Sequence, residues 1–204
     1  YFSDKIDGKY NVTTALRQPG SSIKPINYAV GIETGKITAA SVIYDNPTCF
    51  AQPGQRNYCP TNYGGAYHGL QNIRTSLASS LNIAAVKVLK INGLETFVAS
   101  ASAMGLSTFK NASDYGLSLT LGGGEVTMTD MATAYGVLAN MGIRQDLNPI
   151  MKVVDKNGKT LEEYEYNPGP RVLSRETSYI IQQILSDDGA RAMVFGRGSM
   201  LNIK

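Results

Sequence analysis

Tryptophan is absent from the 204 residues, histidine occurs once, as His68, and cysteine twice, as Cys49 and Cys59. With so few ligands a structural zinc site is excluded, because such sites draw four ligands from Cys and His. The ten-residue step from Cys49 to Cys59 is also not the CxxC spacing of redox or zinc motifs. Whether the two cysteines form a local disulfide or remain thiols stays open, since pairing cannot be read from spacing. No stretch approaches the roughly 18 uninterrupted apolar residues that a membrane-spanning helix needs. Basic residues exceed acidic ones by only 19 to 16, a net charge of +3, and they are scattered singly. That balance argues against a nucleic-acid partner, which calls for a basic patch or stripe. No metal and no cofactor is expected.

What is present suits one globular domain. Apolar residues make up 43% and charged residues 17%, and the length permits a sizeable core. The first residue is Tyr1 and no signal-peptide pattern follows, so the chain is expected to be a fragment or a processed product.

Local patterns predict mostly helix. Residues 1–20 are polar and turn-prone. A helix is expected from Ser21, with Ile23, Ile26 and Val30 on one face and Thr34-Gly35 as its stop. Pro25 disfavours helical geometry at Lys24, so the first turn should be tightened. Residues 44–68 read as a long loop containing His68. Helical spacing resumes at Leu70, Ile73, Leu77 and Leu81 and again from Ala84 to Leu89. Ser79-Ser80-Leu81-Asn82 lies between, and such residues prefer caps to helix interiors, so two helices should meet there. A short helix is expected over 94–104, and a helix opening at Thr127-Met128-Thr129-Asp130 should run to about Asn140. Asp155-Lys156-Asn157-Gly158 signals a hairpin between 149–154 and 159–166. A last amphipathic helix should cover 175–187.

Ser21-Ser22-Ile23-Lys24 has the form S-x-x-K. Three residues apart on a helix means one face, which brings a lysine amine near the serine hydroxyl. Serine needs a neighbouring base to become a nucleophile, and a buried lysine can have its pKa lowered enough to serve. The helix N-terminus also offers the Ser21 backbone N–H to an oxyanion. The motif alone is weak, since about one copy is expected by chance at this length. Ser107-Thr108-Phe109-Lys110 is a second copy, read as a surface turn after Gly105-Leu106. Ser80-Leu81-Asn82 has the form S-x-N of the Ser-Lys acyltransferases. In isolation it is better explained as a helix-joint cap. Gly122-Gly123-Gly124 lacks the G-K-[ST] ending of a phosphate loop and is read as a turn or packing element. A Ser-His-Asp triad would need His68 as base, and no G-x-S-x-G elbow occurs.

The flanking text changes that weighting. Arg17-Gln18-Pro19-Gly20-Ser21-Ser22-Ile23-Lys24-Pro25-Ile26 resembles the R-Q-P-G-S-S-F-K-P-F string of class A penicillin-binding proteins, with Ile for Phe twice. Pro60-Thr61-Asn62-Tyr63 and Tyr67-His68-Gly69 look like the lead into that family's second motif. The segment from Thr75 to Val86 is similar to its A-L-x-x-S-x-N-x-x-A-V helix pair. Leu121 to Thr127, Ala134-Tyr135-Gly136 and Asn140-Met141-Gly142 fit its later pattern. The resemblance runs from about residue 10 to the end of the chain.

It implies an α+β transpeptidase/beta-lactamase-like fold. This chain would hold mainly the helical part, with one β-hairpin and most of the central sheet outside it. It implies D,D-transpeptidation of peptidoglycan stem peptides, from a D-Ala-D-Ala donor to an acceptor amine, with beta-lactams as inhibitors. By carry-over, Ser21 is the nucleophile, Lys24 the base, Ser80 the proton relay and Asn82 the substrate-orienting amide. Residues 1–204 would form a partial transpeptidase domain on the extracytoplasmic face of the bacterial inner membrane, in the periplasm. The family's K-T-G motif is absent, and Lys159-Thr160-Leu161 comes nearest. That motif is expected beyond Lys204, and a glycosyltransferase domain and membrane anchor before Tyr1. A D,D-carboxypeptidase or beta-lactamase on the same fold, or a non-catalytic module, are the alternatives. Ser80-Leu81-Asn82, rather than S-D-N, argues against a beta-lactamase.

Overall fold

The computed structural model describes residues 5, 8–52 and 56–200. The most completely buried helix is α1, Lys24–Glu33, in which every residue from Lys24 to Gly31 is buried. A helix apolar around most of its circumference belongs in a core rather than on a surface. Here Ile23, Ile26, Ala29 and Val30 supply that apolar surface. A 3₁₀ turn, Gly20–Ile23, precedes α1, with Pro25 in its first turn. The tightened helix start therefore occurs, and Ser21 lies in the 3₁₀ turn rather than in α1 itself.

After α1 the chain forms strand β1, Val42–Asp45, crosses a long loop, and returns as strand β2, Gly69–Asn72. The two pair antiparallel, Val42 opposite Asn72 and Asp45 opposite Gly69. This corrects the helical expectation at Leu70. The Asn72 side chain accepts from the Thr75 N–H at 2.8 Å and so caps a helix that begins only at Ile73. The loop 44–68 likewise yields its first two residues to β1.

Helix α2, Ile73–Ala78, and helix α3, Asn82–Asn92, meet at the expected joint. The Leu81 N–H bonds the Ser76 carbonyl at 2.9 Å and the Ser80 N–H bonds the Leu77 carbonyl at 3.0 Å. These are the paired bonds of a Schellman stop, in which glycine usually takes the left-handed position. Here that position is Ser80, with φ 55°. Helix α4 covers Leu94–Ala103, and helix α5 covers Met128–Ala139 with Thr127 as its cap. The Thr127 hydroxyl accepts from the Asp130 N–H at 3.0 Å.

Strands β3, Lys152–Val154, and β4, Thr160–Glu163, form the expected hairpin. Asp155 Oδ1 accepts from the N–H groups of Asn157 and Lys159 in its turn. The described residues thus hold two small two-stranded sheets, one more than the expected hairpin. Helix α6, Arg175–Leu185, buries Thr177, Ser178, Ile181 and Ile184 against α1 and α5. A further helix, α7, Asp188–Phe195, follows where the sequence predicted none. Gly189 in its first turn masks it, while the Asp187 carboxylate caps the Ala190 N–H at 2.9 Å. Fully burying each core Ile, Leu or Phe contributes about 1.5–3 kcal/mol, which makes the α1–α3 contact a main stabilising surface. Cys49 and Cys59 are joined by a disulfide.

Candidate active site

The start of α1 is clamped from outside the helix. The Arg17 and Val126 main chains exchange two bonds of 2.9 Å, fixing the approach to the turn. Gly122, with φ 93°, presses against Gly20 so closely that a Cβ there would lie 2.2 Å from the Gly20 nitrogen. Only glycine fits such an approach and such a φ. The glycine run read as a packing element therefore shapes the turn that carries Ser21. The Ser22 hydroxyl donates to the Pro19 carbonyl at 2.7 Å, and the Tyr135 hydroxyl donates to the Ser22 carbonyl at 2.9 Å. Ser21 is exposed, and among the described residues neither its hydroxyl nor its backbone N–H has a hydrogen-bond partner.

Lys24 lies one turn on, with 1% of its surface exposed. Its amine donates to the Ser80 carbonyl at 2.6 Å, to Ser80 Oγ at 3.1 Å and to Asn82 Oδ1 at 2.7 Å. Burial lowers its pKa from the ordinary lysine value to about 7, because the charged form is poorly solvated there. Three acceptors suit the three protons of an ammonium. Of them only the Ser80 hydroxyl can also donate, since the other two are oxygens without protons. Ser80 is thus the one partner able to return a proton to the neutral amine.

The left-handed backbone of Ser80 lets both its carbonyl and its hydroxyl reach Lys24. Such a conformation in a non-glycine residue costs of order 1–3 kcal/mol, and strained residues of this kind cluster at functional sites. Ser21, Lys24 and Ser80 line one cavity of about 200 Å³, together with Tyr135, Arg191 and Phe195. Asn82 joins the group through Lys24. All four candidate residues are therefore brought together.

Ser107 and Lys110 are not part of it. The Ser107 hydroxyl donates to the Asp130 carboxylate at 2.6 Å, and Lys110 is exposed. Among the described residues no group of three or more His, Cys, Asp or Glu could hold a metal ion.

Sequence reasoning missed several neighbours. Tyr135 is raised in pKa by burial and forms one wall. Arg191 and Phe195 come from the unforeseen α7, tied to the helix joint by the Ser79 hydroxyl donating to the Ala190 carbonyl at 2.9 Å. Asn62 and Asp45, both buried, join the half-buried His68 in a network behind Asn82, over sequence distances that periodicity does not register.

The chain is similar to known proteins. A family model described as penicillin binding protein transpeptidase domain matches residues 7–197. Penicillin-binding protein 1A of Clostridium acetobutylicum is 37% identical over 179 residues, covering 83% of this chain and 22% of that protein. Penicillin-binding protein 1A of Haemophilus influenzae is 35% identical over 155 residues, covering 75% of this chain and 18% of that protein. The chain thus spans about a fifth of the length of these curated relatives. A crystal structure of penicillin-binding protein 1A from Haemophilus influenzae superposes with a TM-score of 0.78 at 29% identity, covering 88% of this chain and 31% of that one. The mostly helical chain accordingly has the transpeptidase-like fold, and it belongs to the penicillin-binding protein transpeptidase domain family.

Proposed function

We propose that this chain carries the acylation half of a D,D-transpeptidase active site. The observation behind the reading is the buried Lys24 amine, its pKa brought to about 7, held by Ser80 and Asn82 beside an exposed Ser21. Lys24 in its neutral form takes the Ser21 proton as Ser21 Oγ attacks the penultimate carbonyl of a stem peptide ending in D-Ala-D-Ala. A base placed in this way contributes about 10²–10⁴-fold. The Ser21 backbone N–H, free of other partners, serves as an oxyanion donor, and each such donor is worth about 2.7–4 kcal/mol. Ser80 passes the proton from Lys24 to the departing amine, and terminal D-Ala leaves. Asn82 orients the substrate amide, using its side chain as donor and acceptor. The amine of a neighbouring stem peptide then attacks the acyl-Ser21 ester, giving the cross-link and freeing Ser21. A beta-lactam follows the first step and leaves its opened ring on Ser21.

This reading makes residues 1–204 a partial domain whose K-T-G element is supplied from beyond Lys204. The parent protein would act on the extracytoplasmic face of the bacterial inner membrane, held there by an anchor outside this chain. A labelled penicillin separates the outcomes. The full-length protein should retain the label for many minutes and, given stem peptide and acceptor, release D-Ala and form cross-linked product. Rapid hydrolysis of the penicillin with no trapped adduct would assign a beta-lactamase reaction instead.

A further inference from the structure

The loop between β1 and β2 ends in a buried polar network that no catalytic step above uses. Asp45 is fully buried and has no Lys or Arg hydrogen-bonded to it among the described residues. Its carboxylate accepts from Asn62 Nδ2 at 2.9 and 2.8 Å, and from the His68 backbone N–H at 2.9 Å. The His68 ring nitrogen Nδ1 lies 2.9 Å from it as well. Tyr28 and Lys87 also feel its charge. A buried carboxylate is costly unless its donors are fixed, so a network of this kind is retained only in a defined geometry.

That geometry has a direction. A carboxylate only accepts, so Asp45 forces the Asn62 amide to turn its NH₂ inward and its oxygen outward. The outward oxygen accepts from the Asn82 N–H at 2.8 Å and the Ile83 N–H at 3.3 Å. Leu81, at the N-cap of α3, has no side chain able to cap those groups. Asn62 therefore caps α3 from twenty residues away. Its neighbour, the Thr61 carbonyl, accepts from Asn82 Nδ2 at 2.7 Å, which leaves Asn82 Oδ1 facing Lys24 Nζ. Both the backbone and the side chain of Asn82 are thus held by residues 61 and 62.

We infer that Asp45 and Asn62 are positioning residues: they fix the amide orientation of Asn82 and, through it, the place of the Lys24 amine. The inference rests on the acyl-enzyme reading above. The titratable groups that share the cavity with Lys24 are Tyr135 and Arg191, and neither belongs to this network.

The test uses the full-length protein and the rate of penicillin acylation per folded molecule. Asn62→Ala should acylate at least tenfold more slowly. Its acid limb should move to lower pH, because the ammonium form of Lys24 loses an oriented acceptor. Asn62→Asp keeps the cap but sets two carboxylates against each other, and should be similarly slow. The double exchange Asp45→Asn with Asn62→Asp restores a donor between these two side chains but leaves the Ala66 carbonyl, which accepts from Asn62 Nδ2 at 2.9 Å, facing a carboxylate, so it should recover only part of the rate. Acylation at the wild-type rate with an unmoved acid limb, whatever the fall in melting temperature, would overturn the inference. So would an Asn62→Asp variant with the wild-type rate and an unmoved acid limb, which decides the matter if Asn62→Ala does not fold. Ser21→Ala is the control. If it still acylates, the acyl-enzyme reading fails; if it is inert while the Asn62 variants behave as wild type, only the positioning role fails.

Discussion

Ser21-x-x-Lys24 and Ser107-x-x-Lys110 have the same spacing and opposite surroundings. The first serine sits in a clamped 3₁₀ turn with its hydroxyl and backbone N–H unpartnered among the described residues, while the second is bonded to Asp130 through both its N–H and its hydroxyl. Lys24 is buried among three oxygen acceptors, and Lys110 is exposed to water. Spacing supplies reach in both places. What differs is desolvation of the amine, which brings one lysine near neutrality at pH 7.

The contrast can be broken most strongly at the lysines. Lys24→Ala should slow penicillin acylation by about 10²–10⁴-fold, the range of a lost general base. Lys110→Ala should leave the rate unchanged, and a comparable loss there would dissolve the distinction. Next in size is the clamp. Gly122→Ala must displace the Gly20 backbone, and a misplacement of about 1 Å can cost roughly 10²-fold in rate. Acylation measured with melting temperature separates this from unfolding.

The pH dependence follows from Lys24. On the proposed mechanism its amine acts as base only when neutral, so acylation should fall about tenfold per pH unit below about 7 and level off above it. Stability has its own sign. Between about pH 7 and the ordinary lysine value, the unfolded chain binds a proton that the folded chain does not. Wild type should therefore gain stability relative to Lys24→Ala as pH rises across that window, as read from denaturant midpoints. Smallest is the strain at Ser80. Glycine adopts φ 55° without penalty, so Ser80→Gly should be about 1 kcal/mol more stable than Ser80→Ala, while both acylate slowly.

The Ser21 and Ser80 motifs are weak alone and were singled out by the resemblance of their flanking text, while the elements that carry them were legible because their signals are local. The Ser21–Lys24 spacing, the cap-forming residues at Ser80 and Asn82, and the Thr127 cap each act within one helical turn. The strand β2 was not, since Leu70 suits both a helical spacing and an alternating one, and only the cap at Asn72 decides. Helix α7 hid behind Gly189, and with it Arg191 and Phe195. The left-handed turn at Ser80 carries no glycine to announce it. The Asp45–Asn62–Asn82 chain joins residues 17 and 20 positions apart, a relation that exists only once the loop folds back. The disulfide closes the same loop and was open on spacing alone.

On the proposed mechanism one serine of the two carries the reaction. Full-length protein treated with a beta-lactam should gain the mass of one opened drug molecule, mapped to the peptide holding Ser21. Ser21→Ala should gain none, and Ser107→Ala should be labelled like wild type. An adduct that survives Ser21→Ala, or one that maps to Ser107, would contradict the account.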